Sequence, residues 1–84
     1  MADANILEII IEYLKNSNPI IKELEEVPLD ESLVELGYMD SFGVVDIVIY
    51  LEGRFEITIN DDDITRERFG SIRKMAKLVF EKAN

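Results

Sequence analysis

The sequence predicts an all-α fold, a four-helix bundle with a long loop between its first and second helices and a short third helix. Three observations predict it. Apolar residues recur at three- and four-residue spacing in three separate stretches, which is the period of a helix with one buried face. The one alternating stretch, Glu56-Ile57-Thr58-Ile59, has no second strand of comparable quality to pair with and reads as extended loop. The 84 residues contain no cysteine, so packed helices rather than disulfides must hold the chain, and a 48% hydrophobic content suffices for one small core.

The first helix spans about residues 3–16. Asp3 stands at its start as a cap, Ile6, Ile10, Tyr13 and Leu14 form its apolar stripe, and Asn16-Ser17-Asn18-Pro19 supplies the stop. From 17 to 40 the periodicity fails while Pro28, Asp30, Ser32 and Gly37 accumulate. This is the long loop, pinned by Leu29, Leu33 and Leu36, with room for a short helical turn between Ile20 and Glu26. The second helix spans about 41–55, where Val44, Ile47, Val48, Leu51 and Phe55 share one face at about 100° per residue. The same rotation turns Phe42, Val45 and Ile49 outward beside Asp46, with Glu52 on the flank. Asn60 followed by Asp61, Asp62 and Asp63 starts a short third helix over about 61–68, the carboxylates complementing the positive end of its dipole. Ser71 caps the fourth helix, about 71–82, with Ile72, Met75, Ala76 and Val79 buried and Lys74, Lys77 and Lys82 directed elsewhere as a solvated face. No repeat, linker or low-complexity tract interrupts the chain, so residues 1–84 read as one domain.

Composition narrows function before any motif does. With neither cysteine nor histidine, the usual nucleophile and base pairs cannot be assembled, and the chain is expected not to be an enzyme. A formal charge of −9 repels nucleic acid and anionic membranes and favours basic protein partners. The charge is uneven, with 17 acidic against 5 basic side chains in residues 1–69 and 1 against 4 in residues 70–84. The longest uninterrupted apolar run, Ile47 to Leu51, is far short of a membrane span, and a soluble, cytoplasmic monomer is expected, with no membrane insertion. No metal is expected either. A calcium loop begun at Asp61 would put Arg66 where the turn glycine belongs and Ile72 where the bidentate glutamate belongs.

One motif remains, Leu36-Gly37-Tyr38-Met39-Asp40-Ser41-Phe42, a glycine turn followed by Asp-Ser at the start of the second helix. It resembles the phosphopantetheine attachment site of acyl carrier proteins. The similarity runs from about Asp30 to Val79 and is closest to D-alanyl carrier proteins and specialised acyl carriers, through Ser41-Phe42-Gly43 and Arg54-Phe55. It departs from D-alanyl carriers at Arg68-Phe69, where they have Glu-Trp, and from fatty-acid carriers at Gly43 and Gly53, where those commonly have acids.

The resemblance implies a four-helix bundle of acyl-carrier type. It implies a 4′-phosphopantetheine, drawn from coenzyme A and covalently attached to Ser41, with Asp40 flanking it. It implies a carrier of acyl or aminoacyl thioesters, in fatty acid biosynthesis and lipid metabolism or in cell-envelope D-alanylation. The implied partners are a phosphopantetheinyl transferase and acyl- or aminoacyl-loading and transfer enzymes with basic docking surfaces. The docking residues are then Phe42, Val45, Asp46, Ile49 and Glu52, since an apolar cluster rimmed by carboxylates suits transient association. The local physics agrees, because a phosphodiester on Ser41 would sit at a helix N-terminus, where free N–H groups and the dipole favour negative charge. The alternative from the residues alone is an unmodified acidic interaction module that docks through Phe42, Val45 and Ile49.

Overall fold

A computed structural model describes residues 2–83. Its elements are α1 (Ala2–Ser17), α2 (Pro19–Lys22), α3 (Ser41–Phe55), a 3₁₀ turn (Asp61–Asp63), α4 (Arg66–Phe69) and α5 (Ile72–Ala83), with no strand among the described residues. The all-α acyl-carrier-type bundle is therefore the fold observed. The side chain of Asp3, expected as the first cap, lies outside the described residues. Helices α1 and α3 both pack on α5, and one core joins them through Ile10, Ile47, Leu51, Ile72 and Val79, none of which reaches solvent.

The stretch 17–40 is not one loop, because α2 interrupts it. Asn18, read as part of a stop, is also a start. Its Oδ1 accepts hydrogen bonds from the N–H groups of Ile20 and Ile21 at 2.9 and 3.0 Å, and Pro19 occupies the first turn, where a missing N–H costs nothing. A single buried residue, Ile21, anchors this turn to the core, which is too little to create a sequence period. Leu33 is buried as expected and Leu29 half-buried, but Leu36 is exposed and Met39 takes the buried place.

The third helix, expected as one piece over 61–68, is two. The chain leaves helical geometry at Ile64, with φ −87° and ψ 66°, and restarts when Thr65 Oγ1 accepts from the Arg68 N–H at 3.1 Å. The break follows from Asp63, which is buried rather than displayed at a helix start. Its carboxylate lies 2.7 Å from Lys82 Nζ and 3.5 Å from Arg68, and accepts from the Asn60 N–H at 3.0 Å. These cations hold the Asp63 carboxyl below the usual range, the hydrogen bond from Lys82 contributing most. Lys82 is thus partly buried in an ion pair instead of lying on a solvated face.

Four contacts hold the segment between α2 and α3. Asn18 Nδ2 donates to the Tyr38 carbonyl at 2.8 Å, Arg73 Nε donates to Asp30 Oδ1 at 2.7 Å, the Arg73 N–H donates to the Leu29 carbonyl at 2.9 Å, and Arg66 pairs with Glu35. Gly37 makes the last turn with φ +82°, a conformation that strains any residue with a Cβ. The chain is thereby delivered to Asp40 along a defined path.

Candidate functional site around Ser41

Asp40 is the N-cap of α3. Its backbone is extended, with φ −109° and ψ −174°, and its Oδ1 accepts from the Gly43 N–H at 3.0 Å while its carbonyl accepts from the Val44 N–H at 3.1 Å. Ser41 is consequently the first residue of the helix and is exposed. Amides of the first turn have no carbonyl within the helix to bond, and with the dipole they suit a phosphodiester on this hydroxyl. Asp40 therefore stands next to Ser41 and fixes where the helix begins.

Gly43 lets the neighbouring chain come close. A Cβ placed on it would stand 2.6 Å from Met39 Cγ, and Met39 is a core residue, so glycine here permits the residue two before Ser41 to tuck beneath the first turn. Gly53, by contrast, faces open space.

The helix phase is as expected. Phe42, Val45 and Ile49 are 83%, 56% and 63% exposed, whereas Ile47 and Leu51 are 0%. Val48 is buried, and Val44 and Phe55 are half-buried. Ser41 opens onto a groove of about 490 Å³ whose lining includes Val34, Val45, Val48, Ile49 and Ile64. Val34 and Ile64 carried no signal in the sequence, since one stands in an aperiodic segment and the other at the break before α4.

The two acidic docking candidates are already engaged within the chain. Glu52 Oε2 accepts from the Ile59 N–H at 2.9 Å and so holds the extended segment after α3 against the helix. Asp46 Oδ2 accepts from the Tyr13 hydroxyl at 2.5 Å, and the Tyr13 ring stacks on Tyr50 with centroids 3.8 Å apart. The hydrogen bond to Asp46, aided by burial and by the Asp46 charge, pushes the Tyr13 phenol up to about 12. Tyr13, placed in the apolar stripe of the first helix, is half-buried and serves as the link between α1 and α3.

An exposed serine thus heads a capped amphipathic helix with an apolar groove beside it. The family model described as "Phosphopantetheine attachment site" matches residues 5–79, and the chain belongs to that family. It is a carrier protein with a covalently attached 4′-phosphopantetheine, and carriers of this family are not enzymes. Among its relatives, the D-alanyl carrier protein of Streptococcus suis (strain 05ZYH33) is 38% identical over 66 residues, covering 74% of this chain and 84% of that one. That of Streptococcus sanguinis (strain SK36) is 35% identical over 69 residues, covering 77% and 87%. That of Streptococcus mutans serotype c (strain ATCC 700610 / UA159) is 28% identical over 78 residues, covering 93% and 99%. No helix among the described residues is long and apolar enough to cross a membrane.

Proposed function

We propose that Ser41 bears the phosphopantetheine arm and that its cargo is an aminoacyl group, D-alanyl, passed between partner enzymes in the cytoplasm. The observation that carries the attachment is the exposed Ser41 at the first position of α3, next to a capping Asp40. In the attachment step a bond forms between Ser41 Oγ and the phosphorus of coenzyme A's pantetheine phosphate. The pyrophosphate linkage breaks, adenosine 3′,5′-bisphosphate leaves, and the hydroxyl proton passes to the transferase. The arm supplies the thiol that this cysteine-free chain lacks, so cargo has one sulfur to load. Asp40 keeps the helix start in place by accepting from the Gly43 N–H, the first-turn amides it leaves over suit a phosphodiester on Ser41, and Phe42, Val45 and Ile49 offer partner enzymes an apolar surface.

The printed names of the relatives support the D-alanyl cargo. A fatty-acyl cargo for lipid metabolism is the second reading, favoured by the apolar groove beside Ser41. The two are separated by offering the phosphopantetheine-bearing protein D-alanine with ATP and a D-alanine-activating enzyme, or a fatty acid with ATP and an acyl-carrier ligase. Loading by D-alanine, absent in Ser41→Ala, is expected; loading by the fatty acid alone would favour the second reading.

A further inference from the structure

Tyr13 reaches from α1 across one turn of α3, touching Asp46 with its hydroxyl at 2.5 Å and Tyr50 with its ring at 3.8 Å between centroids. Asp46 and Tyr50 are four residues apart and share a face of that helix, so a single side chain grips both ends of the turn. The gripped carboxylate is exposed and sits in sequence between the apolar contacts Val45 and Ile49. Only Oδ2 is taken up; Oδ1 makes no hydrogen bond among the described residues. An exposed aspartate held by nothing would exchange rotamers freely, and a partner that engages it would have to immobilise it at an entropic cost.

We propose that Tyr13 is a positioning residue for partner docking, holding the Asp46 carboxylate by Oδ2 so that Oδ1 meets an arginine or lysine of the partner enzyme in one preset orientation. The proposal rests on the reading of α3 as the docking helix beside Ser41. The phenol suits the task because it donates one hydrogen bond, adds no charge to compete with the partner's cation, and is itself fixed by its stack on Tyr50.

The test is the rate at which a broad-specificity phosphopantetheinyl transferase modifies Ser41 with coenzyme A, in the parent, Tyr13→Phe, Asp46→Asn and the double variant. Tyr13→Phe keeps the ring and its stack but loses the hydrogen bond to Asp46, so the melting temperature should fall only modestly and the variant stays folded under assay conditions. KM should rise about three- to tenfold, the scale of immobilising one side chain, with kcat unchanged. Because Tyr13 acts through Asp46, the double variant should be no slower than Asp46→Asn alone. An unchanged KM in Tyr13→Phe, an unchanged KM in Asp46→Asn, or additive losses in the double variant would each overturn the proposal while leaving the Ser41 assignment standing. Absence of modification in the parent would overturn that assignment and the proposal with it.

Discussion

Helix α3 has two faces built from the same kinds of residue, and they do opposite things. Ile47 and Leu51 are sealed against α5 and the rest of the core, while Ile49, between them in sequence, is 63% exposed beside Val45 and Phe42. Branched aliphatic character therefore does not divide core from exposed surface; angular position around the helix does.

The largest expected effect breaks the comparison at its inner face. Leu51→Ala should cost about 2–5 kcal/mol in urea unfolding, because a fully buried leucine leaves a cavity. Ile49→Ala should change stability by no more than about 0.5 kcal/mol, since nothing closes over it. The same Ile49→Ala should nevertheless slow modification of Ser41. Equal destabilisation by the two substitutions would mean that the faces are misassigned.

The helix glycines sharpen the contrast at smaller scale. Gly43→Ala forces Met39 aside and should destabilise by about 1–3 kcal/mol. Gly53→Ala meets nothing and should stabilise by roughly 0.5–1 kcal/mol through helix propensity. Thermal melts of the two variants should shift in opposite directions.

Smaller still are the effects of pH, which probe the groups that tie α3 and α5 to their neighbours. The Tyr13 phenol stands at about 12, above an ordinary 10, so its contribution to stability is intact below pH 10 and disappears as pH rises towards 12. Ultraviolet titration of the three tyrosines should show one titrating late, and Asp46→Asn should abolish that delay. Asp63 has the opposite sign. Its depressed carboxyl stabilises the fold above the unfolded-state value near 3.8, and the contribution is lost as pH falls through the folded value. Lys82→Met should weaken this acid limb of the melting profile and leave the alkaline limb as it was.

Long periodic stretches made α1, α3 and α5 legible, and with them the phase of α3. The place of Ser41 at the head of α3 was legible because a glycine turn, Asp-Ser and the start of the apolar period fall within a few residues of one another. What escaped was set by contacts distant along the chain. Asp63 reads locally as a first-turn carboxylate, and only the arrival of Lys82 and Arg68 turns it inward and breaks the third helix. Asp46 and Glu52 were assigned to docking from helical rotation, which carries no information about the Tyr13 hydroxyl or the Ile59 N–H. Short α2 depends on one cap and one buried isoleucine, below what periodicity can register.

The most direct test is a peptide map of the chain after treatment with coenzyme A and a phosphopantetheinyl transferase. The chain offers four serines. Ser71 is buried with its Oγ accepting from the Lys74 N–H, Ser17 donates to the Tyr13 carbonyl, Ser32 Oγ accepts from the Glu35 N–H, and Ser41 heads α3 in the open. The account predicts one phosphopantetheine, on the peptide carrying Ser41, and none in Ser41→Ala; the arm on any other serine, or its persistence in that variant, would contradict it.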